Sequence, residues 1–200
     1  MPLYVVATPI GNLEDVSRRA ARVLAESALV LAEDTRRTRV LLDALGVRVR
    51  VRTYHDTGRE DAASEALGVL AGGGSVSVVS DAGTPAISDP GSELVKACVA
   101  SGYAVVPVPG ASTVTAFLSC AGLPTDRFQF VGFAPRRAGE LREQVAAWSM
   151  YEGTTVFFES PNRVVPTLAC VADVCPSRPV VVGRELTKLH EEWVRGSASD

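Results

Sequence analysis

Two carboxylates, two glycines, two prolines and three small hydroxyl residues crowd the stretch Val79-Ser80-Asp81-Ala82-Gly83-Thr84-Pro85-Ala86-Ile87-Ser88-Asp89-Pro90-Gly91. Asp81 and Asp89 can accept hydrogen bonds from hydroxyl or amino groups. Gly83 and Gly91 let a backbone approach a ligand closely, and Pro85 and Pro90 stiffen the path. An ordinary turn needs fewer of these features, so the stretch reads as a loop that holds a small polar ligand at the end of a strand. Two other segments have a related character, Thr8-Pro9-Ile10-Gly11-Asn12 and Glu33-Asp34-Thr35-Arg36. Asp34 has two readings, a helix N-cap ahead of Thr35-Arg36-Arg37 or a functional carboxylate.

The elements that must position these loops alternate along the first half of the chain. Apolar periodicity predicts strands over 3–7, 29–32, 48–54, 75–79 and 104–108, and helices over 16–25, 35–45, 59–71 and 90–101. Strands and helices taking turns at this spacing imply parallel βαβ units with helices on both faces and ligands beyond the carboxyl ends of the strands. All three loops then share one sheet edge. Pro107-Val108-Pro109-Gly110 stops a strand and redirects the path, so an N-terminal α/β domain over 1–110 and a C-terminal α/β domain over 111–200 are expected. In the second, helices are predicted over 113–121, 139–147 and 164–174, strands over 128–133, 154–159 and 180–184, and an extended segment over 191–195. The polar end Gly196-Ser197-Ala198-Ser199-Asp200 shows no helix or strand pattern.

Composition narrows the class. The 200 residues are 46% hydrophobic and 22% charged, as in a well-cored globular protein. The start lacks the leader of a signal peptide and no run reaches the ~18 apolar residues of a membrane helix, so a soluble cytoplasmic protein without membrane contact is expected. Cys98, Cys120, Cys170 and Cys175 form no CxxC pair and read as buried free thiols, with no metal site. A net charge of −3 argues against nonspecific coating of nucleic acid. Local basic groups remain, Arg36, Arg37 and Arg39, then Arg136, Arg137 and Arg142, and the alternating Arg48, Arg50 and Arg52; each alone suits a solvated surface.

The first strand–helix turn lacks the Gly-x-Gly-x-x-Gly of a dinucleotide site, and no Gly-x-x-x-x-Gly-Lys-[Ser/Thr] loop supports a GTPase reading of Asp81-Ala82-Gly83. Instead the chain resembles the tetrapyrrole-methylase-like S-adenosylmethionine methyltransferases, and within them the small-subunit rRNA 2′-O-methyltransferase I group. The resemblance rests on Thr8-Pro9-Ile10-Gly11-Asn12-Leu13, Ala32-Glu33-Asp34-Thr35-Arg36, His55-Asp56, Ser80-Asp81-Ala82-Gly83-Thr84-Pro85, Asp89-Pro90-Gly91, Pro107-Val108-Pro109-Gly110, Phe158-Glu159-Ser160 and Arg184-Glu185-Leu186-Thr187-Lys188. These motifs follow the family's order over nearly the whole chain.

The resemblance implies two α/β domains with a cofactor cleft between them, S-adenosyl-L-methionine as methyl donor, and the 2′-hydroxyl of a cytidine in the decoding region of 16S rRNA as acceptor. It implies cofactor contacts from Pro9, Gly11, Asp81, Gly83, Ile87, Ser88, Ser112, Thr113 and Phe158. Asp34, Arg36, His55, Asp81 and Lys188 are the candidates for catalysis, Arg36 as a bidentate grip on a backbone phosphate. A lone histidine is more often structural, Lys188 also reads as an ordinary surface lysine, and Glu159-Ser160-Pro161 as a plain strand end. The resemblance further implies the small ribosomal subunit as partner and a homodimer. Gly110-Ala111-Ser112 departs from the family's usual Gly-Pro-Ser or Gly-Pro-Cys, and family members continue for several tens of residues, so the second domain is expected to be incomplete at its C-terminal end. Methylation of a small molecule such as a tetrapyrrole is the alternative, and a non-catalytic ribosome-binding module the third reading.

Overall fold

Strand Leu29-Val30-Leu31-Ala32 is buried along its whole length, which a strand achieves only when both faces of its sheet are covered. The computed structural model describes residues 1–54 and 59–200, with Arg59 described by its backbone alone. The chain divides into two compact units, Met1–Thr113 and Val114–Asp200.

The first unit carries strands β1 (Leu3–Val6), β2 (Leu29–Ala32), β3 (Val51–Thr53), β4 (Val76–Val79) and β5 (Val105–Val108), with helices α1 (Arg18–Glu26), α2 (Thr35–Ala44), α3 (Arg59–Ala71) and α4 (Ser92–Ala100) between them. The sheet order is β3-β2-β4-β1-β5 and every pairing is parallel. Alternation along the strands sorts two cores. Leu3, Leu29, Leu31, Val76 and Val78 pack with Ala62, Ala66 and Leu70 of α3 and Leu94 and Cys98 of α4. Val6, Val30, Ala32 and Val79 pack with Ala20, Val23 and Leu24 of α1 and Leu42 of α2. Leu24 is wholly buried, so Leu24→Ala would cost about 2–5 kcal/mol. Ser77, the one polar side chain of β4, is buried against Ser27 at 2.7 Å, and Ser27 also donates to the Val23 carbonyl.

The crossovers from β1 to β2 and from β2 to β3 therefore run over one face, and those from β3 to β4 and from β4 to β5 over the other. The chain leaves the adjacent strands β1 and β4 toward opposite faces, and this reversal of strand order opens a crevice at their carboxyl ends.

The second unit holds α5 (Thr113–Ala121, its first residue closing unit one), β6 (Phe128–Phe133), α6 (Ala138–Ser149), β7 (Thr154–Phe158), α7 (Val164–Val174), β8 (Pro179–Arg184) and β9 (Glu192–Ser197). β6 and β7 pair in parallel, and β8 and β9 form an antiparallel hairpin. Trp148 of α6 stacks on Phe157 at 5.1 Å, while the neighbouring Val156 and Phe158 pack with Val114 and Leu118 of α5.

Three sequence expectations need correction. The strand predicted over 48–54 is confined to Val51–Thr53, and the alternating Arg50 and Arg52 share one carboxylate, Glu65. The polar end is structured: Gly196 and Ser197 belong to β9, Ala198 and Ser199 donate to the carbonyls of Arg178 and Pro176, and Asp200 accepts from the Ser197 N–H. Among the four free cysteines only Cys98 is buried; Cys170 and Cys175 are half-buried and Cys120 is exposed. Among the described residues, no helix is long and apolar enough to cross a membrane.

Candidate active site at the carboxyl edge of the first sheet

Loops following β1, β2 and β4 meet at one edge because the strands that carry them are parallel neighbours in the order β2-β4-β1. Thr8 and Gly83 exchange backbone hydrogen bonds of 2.9 and 3.0 Å across the crevice, and the buried Thr8 hydroxyl donates to the Ser80 carbonyl at 3.2 Å. Gly83 adopts φ +79°, and its missing Cβ leaves room beside Ile10 and the Ala111 carbonyl. Gly110 lies so close to β1 that a Cβ there would stand 3.1 Å from that of Ala7.

The β2 loop is tied to the β4 loop through Asp81. Its Oδ1 accepts the Asp34 N–H at 3.0 Å, its Oδ2 pairs with Arg37 at 3.3 Å, and its own N–H donates to Glu33 Oε2 at 3.3 Å. Asp34 caps α2 by accepting the Arg36 N–H at 2.8 Å, and the Arg36 guanidinium closes on both Asp34 oxygens at 3.2 and 2.9 Å. The guanidinium hydrogen bond, joined by the backbone N–H, holds the Asp34 carboxyl down to about 2. Such a carboxylate is anionic at neutral pH and a weak proton acceptor. Arg36, 89% exposed in its side chain, spends its fork on Asp34 in this state.

Beyond Pro85 the loop is strained. Ala86 and Ser88 occupy the left-handed region at φ +67° and +60°, flanking Ile87, which is 54% exposed. Non-glycine residues rarely sit there, and such strain gathers at ligand clamps. The Ala86 N–H donating to the Pro90 carbonyl closes the turn, and Gly91 at φ +137° packs against Ala86. Ser88, Asp89, Pro90, Gly91, Ser92 and Glu93 line a pocket of about 280 Å³ with Tyr54. Burial, reinforced by the charges of Glu33 and Asp81, pushes the Asp89 carboxyl up against an opposing hydrogen bond to Ser80.

The structure brings Pro9, Gly11, Asp34, Arg36, Asp81, Gly83, Ile87 and Ser88 to the loops of this one edge. Ser112 and Thr113 end the first unit. Phe158 ends β7 in the second unit, edge-on to Phe130 at 4.9 Å and Phe133 at 5.4 Å. Lys188 lies in the β8–β9 turn of that unit, 3.2 Å from Glu185. His55 lies outside the described residues. Glu33 and Arg37 were not singled out as site residues by sequence reasoning, and Asp89 was read as an acceptor of the ligand loop but not placed among the cofactor contacts. Asp89 carried a signal in its Asp-Pro-Gly loop, whereas the roles of Glu33 and Arg37 depend on β2 lying beside β4. Glu159 is no bare strand end: its carboxylate accepts the Thr167 hydroxyl at 2.7 Å and the Ser160 N–H at 2.8 Å, and pairs with Arg163 at 3.3 Å.

Residues 2–200 match the family model described as tetrapyrrole (corrin/porphyrin) methylases. The chain belongs to this family. Among relatives of this methylase, one from Halalkalibacterium halodurans named ribosomal RNA small subunit methyltransferase I is 43% identical over 198 residues, 99% of this chain and 68% of the relative. Proteins of the same name from Pseudomonas aeruginosa and Thermotoga maritima are 46% and 42% identical, covering 94% and 99% of this chain and 67% and 89% of their own length. The methylase fold is shared with the crystal structure of the methyltransferase CobJ, at TM-score 0.75 and 20% identity over 100% of this chain and 87% of that one. It is shared also with uroporphyrin-III C-methyl transferase from Thermus thermophilus complexed with S-adenyl homocysteine, at TM-score 0.67 and 23% identity over 99% and 89% of the two chains.

Proposed function

We propose that this methylase transfers a methyl group from S-adenosyl-L-methionine to the 2′-hydroxyl of a cytidine in 16S rRNA presented by the small ribosomal subunit. The observation that carries the reading is the 43% identity over 99% of the chain to a relative whose name specifies small-subunit ribosomal RNA. The tetrapyrrole alternative draws on structures no more than 23% identical among those compared above, a likeness that speaks to the fold.

The residues at the sheet edge fit such a cofactor. Asp81, Asp89 and Glu33 offer acceptors for hydroxyl and ammonium groups, Ile87 presents apolar surface, and the missing Cβ of Gly83 leaves space for close approach to the backbone. When bound, S-adenosylmethionine supplies a methyl group already activated by its sulfonium. The protein's share is placement and exclusion of water. The Thr8–Gly83 pairing fixes the rim of the crevice, and the strained Ala86–Ser88 segment holds Ile87 outward. Asp81 acts by positioning the Glu33–Arg37 segment, through Asp34 N–H and Arg37. Asp34 serves as cap and clamp for Arg36, which can exchange Asp34 for an RNA phosphate. Ser112, Thr113 and Phe158 as cofactor contacts, His55 and Lys188 as catalytic groups, action in the cytoplasm and a homodimeric state belong to the same proposal, and rest on the family resemblance.

The test is transfer of labelled methyl to small ribosomal subunits lacking the modification, with naked 16S rRNA alongside. Label confined to one alkali-resistant cytidine linkage is expected. Label on a porphyrinoid and not on either RNA substrate would replace this reading with the small-molecule one.

A further inference from the structure

Helices α1 and α2 begin with the wrong charge for their dipoles. A helix N-terminus favours Asp or Glu in its first turn, yet neither helix has an acidic residue there. Instead α1 opens on Arg18-Arg19 and α2 carries Arg36, Arg37 and Arg39, all exposed. Caps of the usual kind are present: Ser17 accepts the Ala20 N–H at 3.0 Å and Asp34 accepts the Arg36 N–H. The sequence therefore obeys helix-start chemistry at the cap and departs from it only in the charge that faces solvent.

The topology gathers these departures in one place. α1 and α2 follow neighbouring crossovers and pack on the same sheet face, against one core. Both follow parallel strands and so begin at the carboxyl edge that carries the candidate site. Arg36 and Arg37 are held by Asp34 and Asp81, whereas Arg18, Arg19 and Arg39 have no ion pair among the described residues. A generally basic surface does not explain such a grouping, since the whole chain carries a net charge of −3. Buried counter-charges do not draw these arginines in, because their side chains lie on the outer surface of both helices. Arginine's planar fork matches phosphate bidentately, and the partner with phosphates in series beside the site is a nucleic-acid backbone.

We propose that Arg18, Arg19 and Arg39 form a phosphate track at the starts of α1 and α2, along which the ribosomal RNA strand flanking the methylated nucleotide runs. This rests on the RNA reading above and adds the surface that grips the substrate. Base identity is not read here; the track sets register and supplies salt-dependent affinity.

The test compares the intact chain with an Arg18→Gln/Arg19→Gln/Arg39→Gln variant and with an equal charge loss elsewhere, Arg136→Gln/Arg137→Gln/Arg142→Gln. Affinity for unmodified small subunits and for naked 16S rRNA is measured from 50 to 200 mM salt, and S-adenosylhomocysteine affinity by calorimetry. Loss of about three phosphate contacts should reduce the slope of log K against log salt by roughly 2–3 and weaken binding about tenfold or more at intermediate salt. Cofactor-product affinity should stay unchanged. An unaltered slope in the first variant, or an equal fall in the second, overturns the track. So does affinity for phosphatidylserine vesicles in place of RNA. Track-dependent RNA binding by a wild-type protein that transfers no methyl to RNA would uphold the track and overturn the proposed reaction instead.

Discussion

Asp81 joins the β4 loop to the β2 loop through both of its side-chain oxygens, and two substitutions separate how it does so. Asp81→Ala removes the acceptor of the Asp34 N–H at 3.0 Å and the partner of Arg37 at 3.3 Å. A hydrogen bond to a charged acceptor is worth about 1.5–3 kcal/mol. The ion pair adds roughly 0–1 kcal/mol, because the Arg37 side chain is 70% exposed. The alanine variant should therefore lose about 2–4 kcal/mol, while Asp81→Asn, which keeps an oxygen toward the Asp34 N–H, should lose about 1 kcal/mol or less. With a urea dependence near ~2 kcal/mol/M, these losses shift the midpoint by about 1–2 M and about 0.5 M. Trp148 and Trp193 both belong to the second unit, so tryptophan fluorescence would report the wrong part of the molecule. Far-UV circular dichroism, with hydrogen exchange at the Asp34 amide, reads the first. Equal losses in the two variants would show that the charge and not the hydrogen bond joins the loops, and would refute the reasoning.

Three further outcomes follow from the same contacts. Gly83→Ala forces a side chain onto a left-handed backbone at φ +79°, at about 1–2 kcal/mol, and should weaken S-adenosylhomocysteine binding in calorimetry; wild-type affinity would remove this glycine from the ligand's path. The Asp89 carboxyl is pushed up by burial and then by Glu33, so its charged form opposes folding. Asp89→Asn should then be more stable than wild type at neutral pH. That gain should shrink as pH falls through the raised folded value and vanish below the ordinary carboxyl value near ~3.9; a gain constant with pH would contradict the assignment. Arg178 donates to the carbonyls of Ser149, Tyr151 and Gly153, each at 2.9 Å. A lysine cannot span all three, so Arg178→Lys should cost about 2–4 kcal/mol, read by tryptophan fluorescence.

Most of the fold was legible because its signals are local. The helix over Arg59–Ala71 and the strands over Leu29–Ala32 and Phe128–Phe133 stand where periodicity places them, and so do the loops whose glycines and prolines mark the strand ends. What was hidden depends on neighbours far along the chain. Arg50 and Arg52 read by alternation as solvated strand residues, but Glu65 on α3, a partner distant in sequence, captures both. The polar end looks unstructured by composition, yet Arg178 and Pro176 supply carbonyls that pattern alone does not reveal. At the site, Asp34 was ambiguous between cap and functional group; its hydrogen bond to the Arg36 N–H makes it a cap, and the Arg36 guanidinium makes it also a clamp. Glu33 and Arg37 gained significance only once β2 stood beside β4, a fact of topology that no local window contains.

The place of β1 in the sheet has a consequence for how the chain is made. Its ladder partners are β4 and β5, which begin at Val76 and Val105, so the first strand synthesised waits for more than seventy further residues. At about 5–20 residues per second that is roughly 4–15 s during which an apolar segment has no sheet to join. Until then the nascent chain can assemble only the pairing of β2 with β3. Removing Leu3–Val6 would not trim an edge: it would take out the strand between β4 and β5, leaving β5 detached from a three-stranded remnant and the Gly83 rim without Thr8 to hold it.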